Sequence, residues 1–190
     1  MGDRVQFLRS FIAHPRQVGA VLPTSRRAVS DLLDMASLPH AKVAVELGAG
    51  TGVYTKEILA RLPSDGRLLA FETDRSLAGA LTSRLPDRRL EVLAESAEGM
   101  DARLAGARPE VIVSALPFTS LPGPVRQKVL DECRRLLAPG GVMLVLQYSP
   151  FVRADLESRW PEVRRRISPL NVPPAFLYAC RAGVEKPGRR

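Results

Sequence analysis

Apolar positions along the chain alternate between two spacings. AKVAVELGAG (41–50), RLLAFE (67–72), RLEVLAE (89–95), PEVIVSALP (109–117) and VMLVLQY (142–148) are short runs rich in β-branched residues and leucine. Such runs predict buried strands. Between them lie segments with helical spacing at 53–61, 75–84, near 98–104, and 123–137, where Val125, Val129, Leu130, Leu136 and Leu137 recur on one face. Strand and helix in repeated alternation predict a parallel sheet with helices on both sides. After a helix near 154–160, EVRRRIS and PAFLYACR read as two more strands. SPLNVPP between them is too short for a parallel crossover, so this pair is expected to be an antiparallel hairpin. Ahead of the first strand the pattern gives a helix over 3–13, stopped by Pro15, and another over 25–36 with Ser25 as its N-cap. The expected fold is α/β: a Rossmann-like, doubly wound sheet of seven strands with the last one antiparallel, plus N-terminal helices.

Composition narrows the setting. With 190 residues, 45% of them apolar and 25% charged, the chain is one domain's length and folds without staples. Two cysteines, Cys133 and Cys180, make neither a disulfide framework nor a thiolate metal site, which suggests a reducing cytoplasm. No apolar run approaches the roughly 18 residues of a membrane span, and the first residues carry arginines throughout, so neither secretion nor integral insertion is expected. The net charge of +8 is terminal: residues 1–30 contribute +4, residues 151–190 contribute +5 and the middle about −1. Terminal positive charge points to an anionic surface, either nucleic acid phosphate or lipid headgroup.

The candidate chemistry begins at VELGAGTG (45–52), where a first strand turns into a first helix. Gly48, Gly50 and Gly52 permit a sharp turn and a close approach of backbone to ligand. Glu72 ends the second strand, whose end neighbours that of the first in a doubly wound sheet, so its carboxylate can accept from both ribose hydroxyls of a nucleoside. Glu46 stands against the loop, which is wrong for a pyrophosphate and right for a cationic ligand end. These residues resemble the class I S-adenosylmethionine-dependent methyltransferases, over about residues 25–181. The resemblance implies S-adenosylmethionine as cofactor, its methionine end on Glu46, Gly48, Gly50 and Gly52 and its ribose on Glu72. Where many members put an aspartate for the adenine amino group, AESAEG places Ser96 and Ala97.

SALPF (114–118) follows the fourth strand. Pro117 fixes φ and extends the residue before it, so carbonyls from Ser114 to Leu116 can face a pocket with Phe118 as an apolar wall. The rRNA adenine dimethyltransferases carry a related motif that begins with Asn or Asp, where this chain has Ser114. A further resemblance, to the bacterial phospholipid N-methyltransferases, rests on FLRSFIAHPRQVGAVLPTS (7–25), VELGAGTGVYTK (45–56), SALPF, LQYSPF (146–151) and the closing hairpin. It implies methylation of phosphatidylethanolamine or its partly methylated forms towards phosphatidylcholine, by a cytoplasmic enzyme attached peripherally to an anionic membrane. Val5, Leu8, Phe11 and Ile12 share a helical face flanked by Arg4 and Arg9, a pattern suited to a membrane interface or to packing on the sheet. Residues 1–24 are thus expected to form an amphipathic entrance segment and residues 25–190 the methyltransferase domain.

The expected acceptor residues are Ser114, Leu116, Phe118 and Tyr148, the last placed to hydrogen-bond an amine or a phosphate. His14 and His40 have no companions at ligand spacing, so no metal is expected. Only about ten residues follow the closing hairpin, which leaves no room for a separate RNA-binding domain and disfavours nucleic acid as partner. A monomer is expected. An rRNA adenine or small-molecule amine acceptor, and a cofactor-binding fold without catalysis, stay open as alternatives.

Overall fold

The five apolar runs form β1 (Val43–Leu47), β2 (Arg67–Phe71), β3 (Leu90–Leu93), β4 (Val111–Ser114) and β5 (Val142–Gln147), and the closing pair forms β6 (Glu162–Ser168) and β7 (Ala175–Arg181). This is a computed structural model, and it describes residues 24–169, 171 and 173–184; the helix expected over 3–13 lies outside the described residues. The sheet order is β3-β2-β1-β4-β5-β7-β6. β1 to β5 are mutually parallel, and β7 runs antiparallel to both β5 and β6. β6 therefore points the same way as β5 and forms the sheet's outer edge.

The apolar runs are continuous because the central strands are buried on both faces. Val45, Leu47, Phe71, Ile112 and Val145 face one apolar layer, and Ala44, Leu68, Val113, Leu144 and Leu146 face the other. The first layer is covered by α5 (Gly123–Leu136), through Val129, Leu130, Cys133 and Leu136, and by Val152, Leu156 and Trp160 around α6 (Arg153–Glu157). The second is covered by α1 (Arg26–Leu33) and α2 (Val53–Leu59). α3 (Arg75–Arg84) and the short α4 (Met100–Leu104) complete the crossovers.

Element ends depart from expectation where local chemistry intervenes. Ser25 caps α1 as expected, its Oγ accepting from the Ala28 N–H at 3.2 Å. That helix ends at Leu33 rather than 36, and Leu38–His40 forms a separate 3-10 turn around Pro39. The segment near 98–104 divides into a 3-10 turn at Ala97–Gly99 and α4, which ends where Ala105 and Gly106 take positive φ. Cys133 and Cys180 are free and buried, and burial pushes both thiols up. Among the described residues no helix is long and apolar enough to cross a membrane.

Candidate active site

The carboxyl ends of β1 to β4 meet at the glycine loop. β1 stops at Leu47, and the chain turns through Gly48 (φ 79°) and Gly52 (φ 81°) into α2. Both positions need glycine for space as well as angle. A Cβ on Gly48 would stand 3.0 Å from Leu116 Cδ2, and one on Gly52 would stand 2.3 Å from Leu81 Cδ1 of α3. The N–H groups of Gly48 and Ala49 donate to the Phe71 carbonyl at 2.9 and 3.0 Å, which seats the loop on the end of β2. Glu72, 1% exposed, then tightens it: one carboxylate oxygen accepts from the Gly50 N–H at 2.8 Å and the other from the Asp74 N–H at 2.8 Å.

Strand alternation turns Glu46 to the face opposite Val45 and Leu47, where it is fully buried. Its Oε2 accepts from the Thr55 hydroxyl, one turn into α2, at 2.7 Å, while Oε1 has no partner among the described residues. Burial, with the Glu72 carboxylate adding to it, pushes the Glu46 pKa from about 4.5 up to about 7. Beside it the Thr24 hydroxyl lies 3.1 Å from the Tyr148 hydroxyl. Burial raises the Tyr54 phenol well above its usual range, and the nearby Tyr148 and Glu46 act in the same direction.

On the other face a narrow cleft is lined by Gly48, Phe71, Thr73, Glu95, Ser96, Ala97 and Leu116. Ser96 and Ala97 thus come to the glycine loop, as their position after β3 predicts. The Ser96 Oγ accepts from the Glu98 N–H, Glu95 is held by Arg103 at 2.6 Å, and the buried Thr73 Oγ1 has no partner.

The residues expected to form the acceptor wall are not gathered into one surface. Leu116 borders the cleft, but Ser114 and Phe118 are both fully buried beneath it, and the Ser114 Oγ accepts from the Leu116 N–H. The Leu116 carbonyl is taken twice, by the Phe118 N–H and by Gln147 Nε2, both at 2.9 Å. Leu116 and Phe118 belong to one apolar layer and Tyr148 packs on the other, with Thr24 and Tyr54.

Thr24, Tyr54, Thr55, Thr73 and Gln147 escaped the sequence reading as site residues. Two carried a signal: Thr55 lies in the stretch that holds the loop, and Gln147 is the polar end of an otherwise apolar run. His40 is exposed, and among the described residues no group of three or more His, Cys, Asp or Glu could hold a metal ion.

These features fit a cationic nucleoside. A buried carboxylate oxygen without a partner among the described residues calls for a positive group, and a Cβ at Gly50 would meet no described residue within 4 Å, so none of them covers the crest of the loop. Comparison with known proteins agrees. Residues 44–141 match the family model described as a methyltransferase domain. The chain is 30% identical to an ornithine lipid N-methyltransferase of Singulisphaera acidiphila, over 98% of this chain and 99% of that one. It is also 30% identical to the ribosomal RNA small subunit methyltransferase A of Thermotoga petrophila, over 61% of this chain and 42% of that one. In fold it is similar to the N-methyltransferase NodS of Bradyrhizobium japonicum, solved with S-adenosyl-L-homocysteine, at a TM-score of 0.69 and 18% identity over 95% of this chain and 99% of that one. The chain belongs to the class I S-adenosylmethionine-dependent methyltransferases, is related to their lipid N-methyltransferases, and takes S-adenosylmethionine as its methyl donor.

Proposed function

We propose that the chain N-methylates an amine on a membrane lipid headgroup, acting in the cytoplasm as a peripheral enzyme on an anionic bilayer. Phosphatidylethanolamine and its partly methylated forms are the first substrates to test, and an ornithine lipid is the second. The observation that carries this reading is the end-to-end likeness to a lipid N-methyltransferase, which takes in the entrance segment as well as the cofactor half. The likeness to an rRNA methyltransferase spans 61% of the chain.

Bound S-adenosylmethionine supplies a methyl group already activated on a sulfonium, so the protein's part is positioning and desolvation. Glu46 and the glycine loop would hold the methionine end, Glu72 the ribose hydroxyls, and Ser96 with Ala97 the adenine. An amine attacks only with its lone pair free. Leu116 at the cleft offers apolar surface that disfavours the ammonium, while Tyr148, held by Thr24 on the opposite face, would serve only an amine that reaches that face, by accepting a hydrogen bond from it. Ser114 and Phe118 act from below, by holding Leu116 at the cleft.

The test incubates the purified chain with methyl-labelled cofactor and, separately, vesicles containing phosphatidylethanolamine, vesicles containing ornithine lipid, rRNA and free ethanolamine. Label in a lipid fraction supports the proposal and says which headgroup is used. Label confined to rRNA or to the soluble amine overturns it.

A further inference from the structure

Four large apolar side chains are exposed among the described residues: Val53 (37%), Phe151 (82%), Ile167 (51%) and Val184 (80%). Three of them stand at one edge. Val53 opens α2 just after the glycine loop, and Phe151 follows the end of β5. Ile167 pairs with Phe176, which pairs in turn with Gln147, the last residue of β5. All three are therefore at the carboxyl edge, where the active site opens. Val184 follows β7 at the opposite edge.

Phe151 and Ile167 are also linked to the acceptor end of the site. The 3-10 turn Pro150–Val152 packs on the turn Phe118–Ser120, which follows the SALPF carbonyls. α6 continues from that turn and packs on β6, and Phe176, beside Ile167, packs on the same apolar layer as Val152 and Leu156.

The charge around this corner is basic. Arg164, Arg165 and Arg166 are all exposed on the edge strand. Arg164 is paired with Glu162 and Arg153 with Glu157, but neither Arg165 nor Arg166 is ion-paired to a described residue. Tyr178 feels both Arg153 and Arg165, so those two guanidinium groups stand over the same part of the face as α6. An exposed edge strand commonly carries charge to prevent pairing with other chains, but that role does not require an 82% exposed phenylalanine beside it.

We infer that Phe151, Ile167, Arg165 and Arg166 form the surface by which the chain seats on an anionic bilayer, with the acceptor end of its active site facing the lipid. The inference rests on the lipid-amine reading above. A nucleic acid would answer the arginines with its phosphates and could stack an unpaired base on Phe151, but it gives the aliphatic Ile167 nothing. A bilayer interface answers both, taking apolar tips into the headgroup boundary and holding the arginines by its surface charge.

The experiment measures sedimentation of the full chain with vesicles of phosphatidylcholine, with and without phosphatidylglycerol. F151S/I167S is expected to lower the vesicle partition coefficient about tenfold. R165E/R166E is expected to do so on the anionic vesicles only, with an effect that shrinks as salt rises. Cofactor affinity stays unchanged in both, which confirms the fold. A second measurement uses Phe151→Cys carrying an environment-sensitive dye, which is selective because Cys133 and Cys180 are buried; its emission is expected to shift to the blue on anionic vesicles. If both double variants bind like the unsubstituted chain, or the dye stays in water while the chain is vesicle-bound, the surface lies elsewhere and the inference fails. Loss of rRNA binding with vesicle binding intact in R165E/R166E also overturns it. A chain that seats through this corner but methylates no lipid amine sinks the substrate reading alone, and one that methylates lipid amines but seats elsewhere sinks the docking surface alone.

Discussion

Replacing Glu46 by glutamine tests whether its carboxylate is kept for a cation that the folded protein itself does not supply. Glu46 is fully buried, with one oxygen on Thr55 and the other without a partner among the described residues. Its pKa is raised from about 4.5 to about 7. The folded state therefore holds this proton at pH values where the unfolded chain has released it. Below about pH 4.5 both states are protonated and the carboxyl costs nothing extra. As pH rises from there through about 7, folding stability falls, because the native state must either keep the proton or bury the charge. A difference of roughly two and a half pKa units corresponds to about 3 kcal/mol of lost stability once pH exceeds 7. Glu46→Gln keeps an oxygen to accept from Thr55 and never ionises. The variant should differ least from the parent near pH 5, by less than about 1 kcal/mol, and be more stable above pH 7, by up to about 3 kcal/mol. The comparison cancels every other titrating group.

Urea unfolding followed by circular dichroism at several pH values between about 5 and about 8 reads the difference directly, and an unchanged m-value shows that the two unfolded states are comparable. The same substitution should weaken cofactor binding in calorimetry. In the parent, affinity should strengthen as pH rises through about 7, since a cationic ligand favours the ionised carboxylate. Parent and variant curves that run parallel across the whole pH range would mean that the Glu46 pKa is the same in the folded and unfolded chain, which refutes the reasoning. Equal cofactor affinity would remove it from the binding site.

Glu72→Ala leaves the N–H groups of Gly50 and Asp74 without their carboxylate; we expect cofactor affinity to fall about 30-fold in calorimetry, as hydrogen bonds to charged groups contribute about 2 kcal/mol, and an unchanged affinity would refute the ribose assignment. Gly52→Ala places a Cβ against Leu81 at positive φ and should cost about 2 kcal/mol or more in thermal unfolding. Gly79→Ala, in the open interior of α3, should stabilise by about 0.5 to 1 kcal/mol, and equal effects from the two substitutions would contradict the packing argument. Methyl transfer should survive exhaustive chelation because the sulfonium needs no further activation; activity lost to chelator and restored by a divalent ion would show otherwise.

The strands and both carboxylates were legible in the sequence for one reason. Strands buried on two faces must be apolar throughout, so Glu46 and Glu72 stand out as the charged residues at the carboxyl ends of such runs. The acceptor wall was not legible, because it depends on which face each residue takes after its strand ends. SALPF turns Leu116 and Phe118 into one layer, whereas β5 runs on through Gln147 and delivers Tyr148 to the other. Spacing along the chain cannot supply that difference in parity between two adjacent strand ends. Nor can it show that Gln147 reaches across to occupy the Leu116 carbonyl, a bond made between residues 31 apart.

The electrostatics of the chain gain sense when the buried and exposed charges are separated. The chain, of net charge +8, keeps two buried carboxylates among its described residues, Glu46 and Glu72, at the site, and puts guanidinium groups without a described ion-pair partner at the rim of the same edge. The glycine loop that takes the cationic cofactor lies at the ends of β1 and β2, at least four strands from the arginines of β6, so their repulsion reaches the cofactor only at long range and is largely screened by salt. Once inside, the cofactor meets carboxylates in a low-dielectric setting, where attraction is stronger and little screened by salt. On the lipid-amine reading the same rim is attractive to the second substrate, whose membrane is anionic. Both substrates then reach one edge by opposite electrostatics: the bilayer is drawn by exposed charge that salt weakens, and the cofactor is held by buried charge that salt scarcely touches. The arginines and the carboxylates share the carboxyl edge but stand at separate places along it, β6 lying four strands from β1, so each set of charges serves its own substrate without pairing with the other.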